Sequence, residues 1–195
     1  MFIQTEDTPN PQSMKFLPGR PVLGEGATGM DFPTPESAEA GSPLAAELFA
    51  VDGVTGVYLG ADFVTVTKSE AVEWLHVKPA ALGVIADYLT AGLPVLKEGA
   101  QDRPGPATSL DEYEGEDRET VEQIIELIET RVRPAVAADG GDIVFKHYEP
   151  RTGVVFLSLH GACSGCPSST MTLKAGIENL LKHYVPEVAK VEAVA

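Results

Sequence analysis

The chain has 195 residues, 44% of them apolar and 22% charged, and carries a formal net charge of −15 at pH 7. Such proportions fit a globular chain with room for one large or two small domains, and the acidity excludes a nucleic-acid binder, because phosphate contacts need Lys and Arg to displace counterions. No apolar run approaches the roughly 18 residues of a membrane-spanning helix.

From the first residue onward, Met1-Phe2-Ile3-Gln4-Thr5-Glu6 shows neither the basic and apolar regions of a secretory signal nor an Arg-rich amphipathic leader. The expected compartment is a bacterial cytoplasm, or the mitochondrial matrix if the chain is a processed eukaryotic form. Residues 2–5 read as a strand, Thr8-Pro9-Asn10-Pro11 as a turn, and residues 14–17 as a returning strand. Residues 24–39 are polar and punctuated by Gly and Pro, and read as loop. Ser42 before Pro43 predicts an N-cap with proline at the first helical position, opening a helix to about residue 50. Residues 54–59 and 63–67 flank Gly60-Ala61-Asp62 as a hairpin. A second helix is expected near Pro79, with Leu82, Ile85 and Leu89 on one face and Gly92 at its C-terminal cap.

Between residues 96 and 116 the composition turns to Pro, Gly and acidic side chains with few apolar anchors, which predicts a flexible linker. The chain therefore divides into domains at 1–95 and 117–195. In the second, Val121, Ile124, Ile125, Ile128 and Val132 follow helical spacing, with a bend expected at Pro134. Asp139-Gly140-Gly141-Asp142 is a turn, residues 143–148 and 154–159 are strands, and Gly161-Ala162-Cys163-Ser164-Gly165-Cys166-Pro167 is a loop. Leu173, Ile177, Leu180, Leu181 and Tyr184 share a helical stripe, and residues 188–194 form a last strand. The fold class is α+β, two small domains, the second ordered α-β-β-α-β with helices on one face of a small sheet.

The two cysteines, Cys163 and Cys166, are no disulfide scaffold, and their spacing points to metal or redox chemistry. Two intervening residues let both sulfurs face one side of a tight turn, and Gly161 and Gly165 bring main-chain N–H groups close. If Pro167 opens the helix, Cys166 is its N-cap, where the positive helix end favours a thiolate. Ser168 and Ser169 are placed to donate hydrogen bonds to an anionic sulfur centre. Two buried apolar cysteines would be poorly placed in a Gly-rich loop. Zinc, an iron–sulfur cluster and a redox disulfide stay open. One protomer offers two thiolates where zinc and cubane clusters take four ligands, so a two-fold dimer completes the set. His160, three residues before Cys163, is a possible further ligand, but it shares strand parity with Phe156 and Ser158 and more simply ends a strand. His76, His147 and His183 read as surface residues. A thioredoxin-like oxidoreductase expects the pair after the first strand of a βαβ unit, which this order does not supply. Asp139 and Asp142 read as turn residues before they read as a cation site. No Ser/His/Asp arrangement, phosphate loop or acid–base pair suggests an enzyme.

The run Thr130-Arg131-Val132-Arg133-Pro134-Ala135-Val136, the Asp139–Asp142 turn, and Gly161 through Ser169, with Leu173-Lys174 and Val185-Pro186-Glu187-Val188, resemble the NifU C-terminal (Nfu-type) domain. Met1 through Pro11, Lys15-Phe16-Leu17-Pro18-Gly19, Phe49, Gly53-Val54, Val57 and Asp62 through Lys68 resemble the N-terminal domain of Nfu scaffold proteins. The resemblance implies a homodimer that shares one [4Fe–4S] cluster, or a [2Fe–2S] cluster, through Cys163 and Cys166. It further implies an upstream cluster donor, delivery to apo-proteins such as lipoyl synthase or aconitase, and client recognition by the N-terminal domain.

Overall fold

The computed structural model describes residues 2–24, 27, 29–100, 110–163 and 167–194, with no side-chain description for Asp111 or for residues 167–170. The N-terminal domain is built on five strands: β1 Gln4–Asp7, β2 Ser13–Leu17, β3 Met30–Phe32, β4 Val54–Leu59 and β5 Val64–Lys68. They form an antiparallel sheet in the order β1-β2-β5-β4-β3. Period-two alternation puts Met14, Phe16, Val57, Leu59, Val64 and Val66 on one face. Against that face lie α1 Pro35–Gly41, α2 Pro43–Phe49 and α3 Trp74–Thr90, which contribute Leu44, Leu48, Val77, Ala81, Ile85 and Leu89 to a single core.

The expected cap at Ser42 is present: its hydroxyl accepts the Ala45 N–H at 3.1 Å, and Pro43 is the first helical residue. Gly92 follows α3 with φ +65°. Two expectations need correction. Residues 24–39 are not all loop, because they hold the short edge strand β3 and the helix α1, started by a reciprocal cap between Thr34 and Ser37 with Pro35 in the first turn. The second long helix begins at Trp74, so Pro79 lies inside it. Its stripe is Val77, Ala81, Ile85 and Leu89, and burying that stripe outweighs the one hydrogen bond that the proline forgoes.

The C-terminal domain begins with a 3₁₀ turn Leu110–Glu112, then α4 Gly115–Leu127, a π-helical turn Ile128–Val132 and α5 Arg133–Ala138. The bend expected at Pro134 is this π turn, an adjustment that commonly accompanies a missing backbone donor. Strands β6 Gly141–Glu149 and β7 Val154–Gly161 pair antiparallel, α6 Pro167–Tyr184 crosses over, and β8 Lys190–Val194 joins β7 in parallel. The order is α-β-β-α-β, as the sequence predicts. Val121, Ile124, Ile128, Val136, Ile143, Leu157 and Leu181 lie in its core.

Both ends of the 96–116 segment are held. Lys97 N–H donates to the Gly41 carbonyl at 2.9 Å and Ala100 is buried. Tyr113 is buried in the C-terminal core, where its hydroxyl donates to Tyr148 O at 3.1 Å and accepts the Tyr148 N–H at 2.9 Å. Residues 101–109, the middle of the expected linker, lie outside the described residues.

Candidate functional site

Cys163 follows the end of β7, and the backbone around it requires glycine at three positions, 140, 141 and 161. Gly161 has φ +64°, a conformation that side chains rarely adopt. Gly140, φ +78°, presents its carbonyl to the Ala162 N–H at 3.2 Å, which ties the residue before Cys163 to the Asp139–Gly140 turn. A Cβ on Gly141 would stand 2.6 Å from the Cys163 sulfur and 2.8 Å from the His160 carbonyl, so only glycine fits there. The Gly140–Gly141 pair is thus a shelf one residue thick beneath the sulfur.

Asp142, 4% exposed, anchors the shelf from below. Arg133 donates to it in bidentate fashion, Nε to Oδ1 at 2.8 Å and Nη2 to Oδ2 at 3.0 Å. The Ile143 N–H adds a bond to Oδ1 at 2.8 Å, and the Tyr58 hydroxyl adds one to Oδ2 at 2.9 Å. Burial first, and then the Asp142 charge, raise the Tyr58 phenol far above its ordinary value. The bonds to Asp142 hold the Arg133 guanidinium still more firmly protonated. With its lone pairs engaged in this way, Asp142 is a structural hub, and it lies with Gly141 in β6, so the turn expected over 139–142 is confined to Asp139 and Gly140.

Cys163 is 8% exposed and packs with the C-terminal core. Its thiol is pushed up to about 12 by burial, with the charges of Asp139 and Asp142 adding to the effect. Burial therefore favours the neutral thiol over the thiolate at Cys163, and coordination to a metal would work against that preference. The second sequence candidate, Cys166, lies outside the described residues with Ser164 and Gly165, as do the side chains of Ser168 and Ser169. Helix α6 starts at Pro167, the position the sequence predicts.

The His160 Nδ1 meets Asp31 Oδ2 at 3.2 Å, across to the N-terminal domain. His147 pairs through Nδ1 with the Tyr113 hydroxyl at 2.8 Å, and His76 and His183 are exposed. Among the described residues no three His, Cys, Asp or Glu side chains converge to hold a metal ion, and no helix is long and apolar enough to cross a membrane. Sequence reasoning missed Tyr58, Asp31 and the hub role of Asp142. Arg133, nine residues before Asp142, was the only local signal for any of them.

The described residues form two α+β domains, the second with Cys163 framed by glycines between β7 and α6. Residues 3–92 match the family described as scaffold protein Nfu/NifU N terminal, and residues 124–192 match the NifU-like domain. The chain belongs to the Nfu family of NifU-like proteins. It is 54% identical over 194 residues to the mitochondrial "NFU1 iron-sulfur cluster scaffold homolog" of Drosophila erecta, covering 100% of this chain and 65% of that protein. The protein of the same name from Drosophila virilis is 52% identical, with 100% and 62% covered. This chain therefore spans less than two thirds of the length of these curated relatives. The solution structure of a NifU-like protein from Saccharomyces cerevisiae is 27% identical, aligning over 50% of this chain and 86% of that one with a TM-score of 0.46.

Proposed function

We propose that this protein is an iron–sulfur cluster carrier whose cargo, a [4Fe–4S] cluster, is held between two copies of the chain by Cys163 and Cys166 of each. The observation that carries the reading is the seat of Cys163: a thiol on a glycine shelf, just before helix α6 of a NifU-like domain. Two thiolates per chain leave a cluster half-ligated, and a two-fold pair supplies four. A [2Fe–2S] cluster takes the same four ligands and is separated from the first by iron count. The relatives' names, iron–sulfur cluster scaffold homologues, support the cargo, and they favour the mitochondrial matrix over the bacterial cytoplasm as the compartment.

Carriage is ligand exchange and not catalysis. A cluster bridging two chains is released when the thiolates of an apo-protein client, such as lipoyl synthase or aconitase, displace Cys163 and Cys166 in turn. An upstream donor loads the site in the same way, and the N-terminal domain contributes client recognition. A thiol–disulfide oxidoreductase needs an accessible cysteine of lowered pKa. Burial and two neighbouring carboxylates drive Cys163 the other way, which disfavours that reading.

Anaerobic reconstitution with iron and sulfide, followed by metal analysis and sizing, tests the proposal. About four irons per dimer and a brown colour are expected, both lost in Cys163→Ser with the fold intact by circular dichroism. A colourless monomer, with zinc or with no metal, would overturn it.

A further inference from the structure

The second face of the N-terminal sheet is polar in sequence, yet its central strands are buried in the structure. Glu6, Lys15, Thr65, Tyr58 and Asp31 are register partners across β1, β2, β5, β4 and β3. They form one continuous row across all five strands. A one-layer polar face of this kind ordinarily meets water, but Lys15, Thr65 and Tyr58 are 7%, 0% and 4% exposed. Burying such groups is costly unless each finds a partner, and the C-terminal domain supplies partners to four of the five. Lys15 Nζ donates to the Ala137 and Ala138 carbonyls at 2.9 and 3.3 Å, at the negative end of α5. Thr65 Oγ1 donates to the Gly140 carbonyl at 2.6 Å. Tyr58 donates to Asp142, and Asp31 meets His160.

These contacts fall on the structure that frames Cys163. The Gly140 carbonyl bound by Thr65 also accepts the N–H of Ala162, the residue before Cys163. Asp142, bound by Tyr58, follows the Gly141 on which the sulfur rests. The Tyr58 ring lies so close to Gly161 that a Cβ there would be 3.1 Å from Tyr58 Cγ. The clamp and the cysteine thus both contact the same two-residue shelf.

We infer that this cross-strand row is an intramolecular clamp. Docked, it seats the N-terminal domain on the Gly140–Gly141 shelf and keeps Cys163 turned inward. Undocked, it frees the shelf, and the sulfur can swing out to serve as a ligand. The N-terminal domain then gates access to Cys163 in addition to any part in choosing clients. The consequence for cargo exchange rests on the carrier reading, whereas the docking and its effect on thiol access do not.

The test uses the full chain without cluster, with Cys166→Ser so that Cys163 is the one reactive thiol. Its maleimide labelling rate is compared at one fixed pH with and without Tyr58→Phe and Thr65→Val together. Loss of two interdomain hydrogen bonds is expected to speed labelling at least about fivefold. Ser42→Ala is the control, since it weakens the N-terminal domain at a helix cap remote from the row and should leave the rate unchanged. Equal acceleration by Ser42→Ala, or none by the pair, overturns the clamp. Small-angle scattering of the unsubstituted monomer supplies a check that needs no variant. A docked chain has a radius of gyration of about 16 Å, and a distribution dominated by extended, two-lobed particles overturns the clamp whatever the variants do. A chain that carries no cluster but shows the accelerated labelling removes the carrier reading and leaves the clamp standing. A chain that carries a cluster and shows no acceleration does the reverse.

Discussion

Phe16 and Lys15 are neighbours on β2 and both are buried, but the burial is of two kinds. Phe16, fully inaccessible, faces α2 and α3 among Leu44, Leu48, Val66 and Ile85, where the driving force is non-directional removal of apolar surface from water. Lys15 faces the other domain and is held by two carbonyls at hydrogen-bonding distance, where direction and partner decide the outcome. The apolar face determines that the N-terminal domain folds. The polar face determines where it sits.

That division can be broken experimentally. The largest effect is expected from Phe16→Ala, at about 3–5 kcal/mol for an emptied aromatic core site. Trp74 is the only tryptophan and lies on α3, so its fluorescence during urea denaturation reports this domain directly. An unchanged midpoint would mean that the apolar face is not what holds the domain together. Asp142→Ala should cost about 2 kcal/mol, because the Arg133 guanidinium and the Tyr58 hydroxyl lose their partner. The figure is held down because a quarter of the Arg133 side chain already reaches water. Far-UV circular dichroism follows this loss in the C-terminal domain, and a cost below about 0.5 kcal/mol would remove Asp142 as the hub. The smallest change is expected at the open end of the row. Glu6 is more than half exposed and 4.0 Å from Lys15 Nζ, so Glu6→Gln should shift stability by less than about 0.5 kcal/mol. A larger shift would show that the row is anchored beyond Lys15.

Much of the fold was legible in the chain. Ser42 and Pro43 announced α2, Gly92 closed α3, and the spacing of Val121, Ile124, Ile128 and Val132 announced the long helical segment with its bend. The end of β7 and the start of α6 on either side of the cysteines followed from glycines, a proline and two flanking periodic runs. The misses have physical causes. Helix α1 buries only Ala38 and Gly41, so it has no apolar period to read, although Thr34-Pro35-Glu36-Ser37 carried the cap. Pro79 passed for a helix start because a proline inside a helix is disfavoured, yet the stripe beginning at Val77 was strong enough to carry the helix through it. Tyr58 and Asp31 bond to partners 84 and 129 residues away, and no local pattern points across that distance.

The sequence by itself determined the α+β class, the order of elements, the two-domain character and the family, with Cys163 and Cys166 as the candidate ligands. Apolar period, cap and turn chemistry are written in residues only a few positions apart. Only the tertiary structure decided that the centre of the first sheet's polar face is covered, that the cover includes the Gly140–Gly141 shelf, and that Cys163 is buried against the C-terminal core. A polar side chain is satisfied by water about as well as by a protein partner, with a net difference of only about 1 kcal/mol per hydrogen bond. Its residue type therefore shows that it needs a partner, and the folded chain alone shows which partner it has.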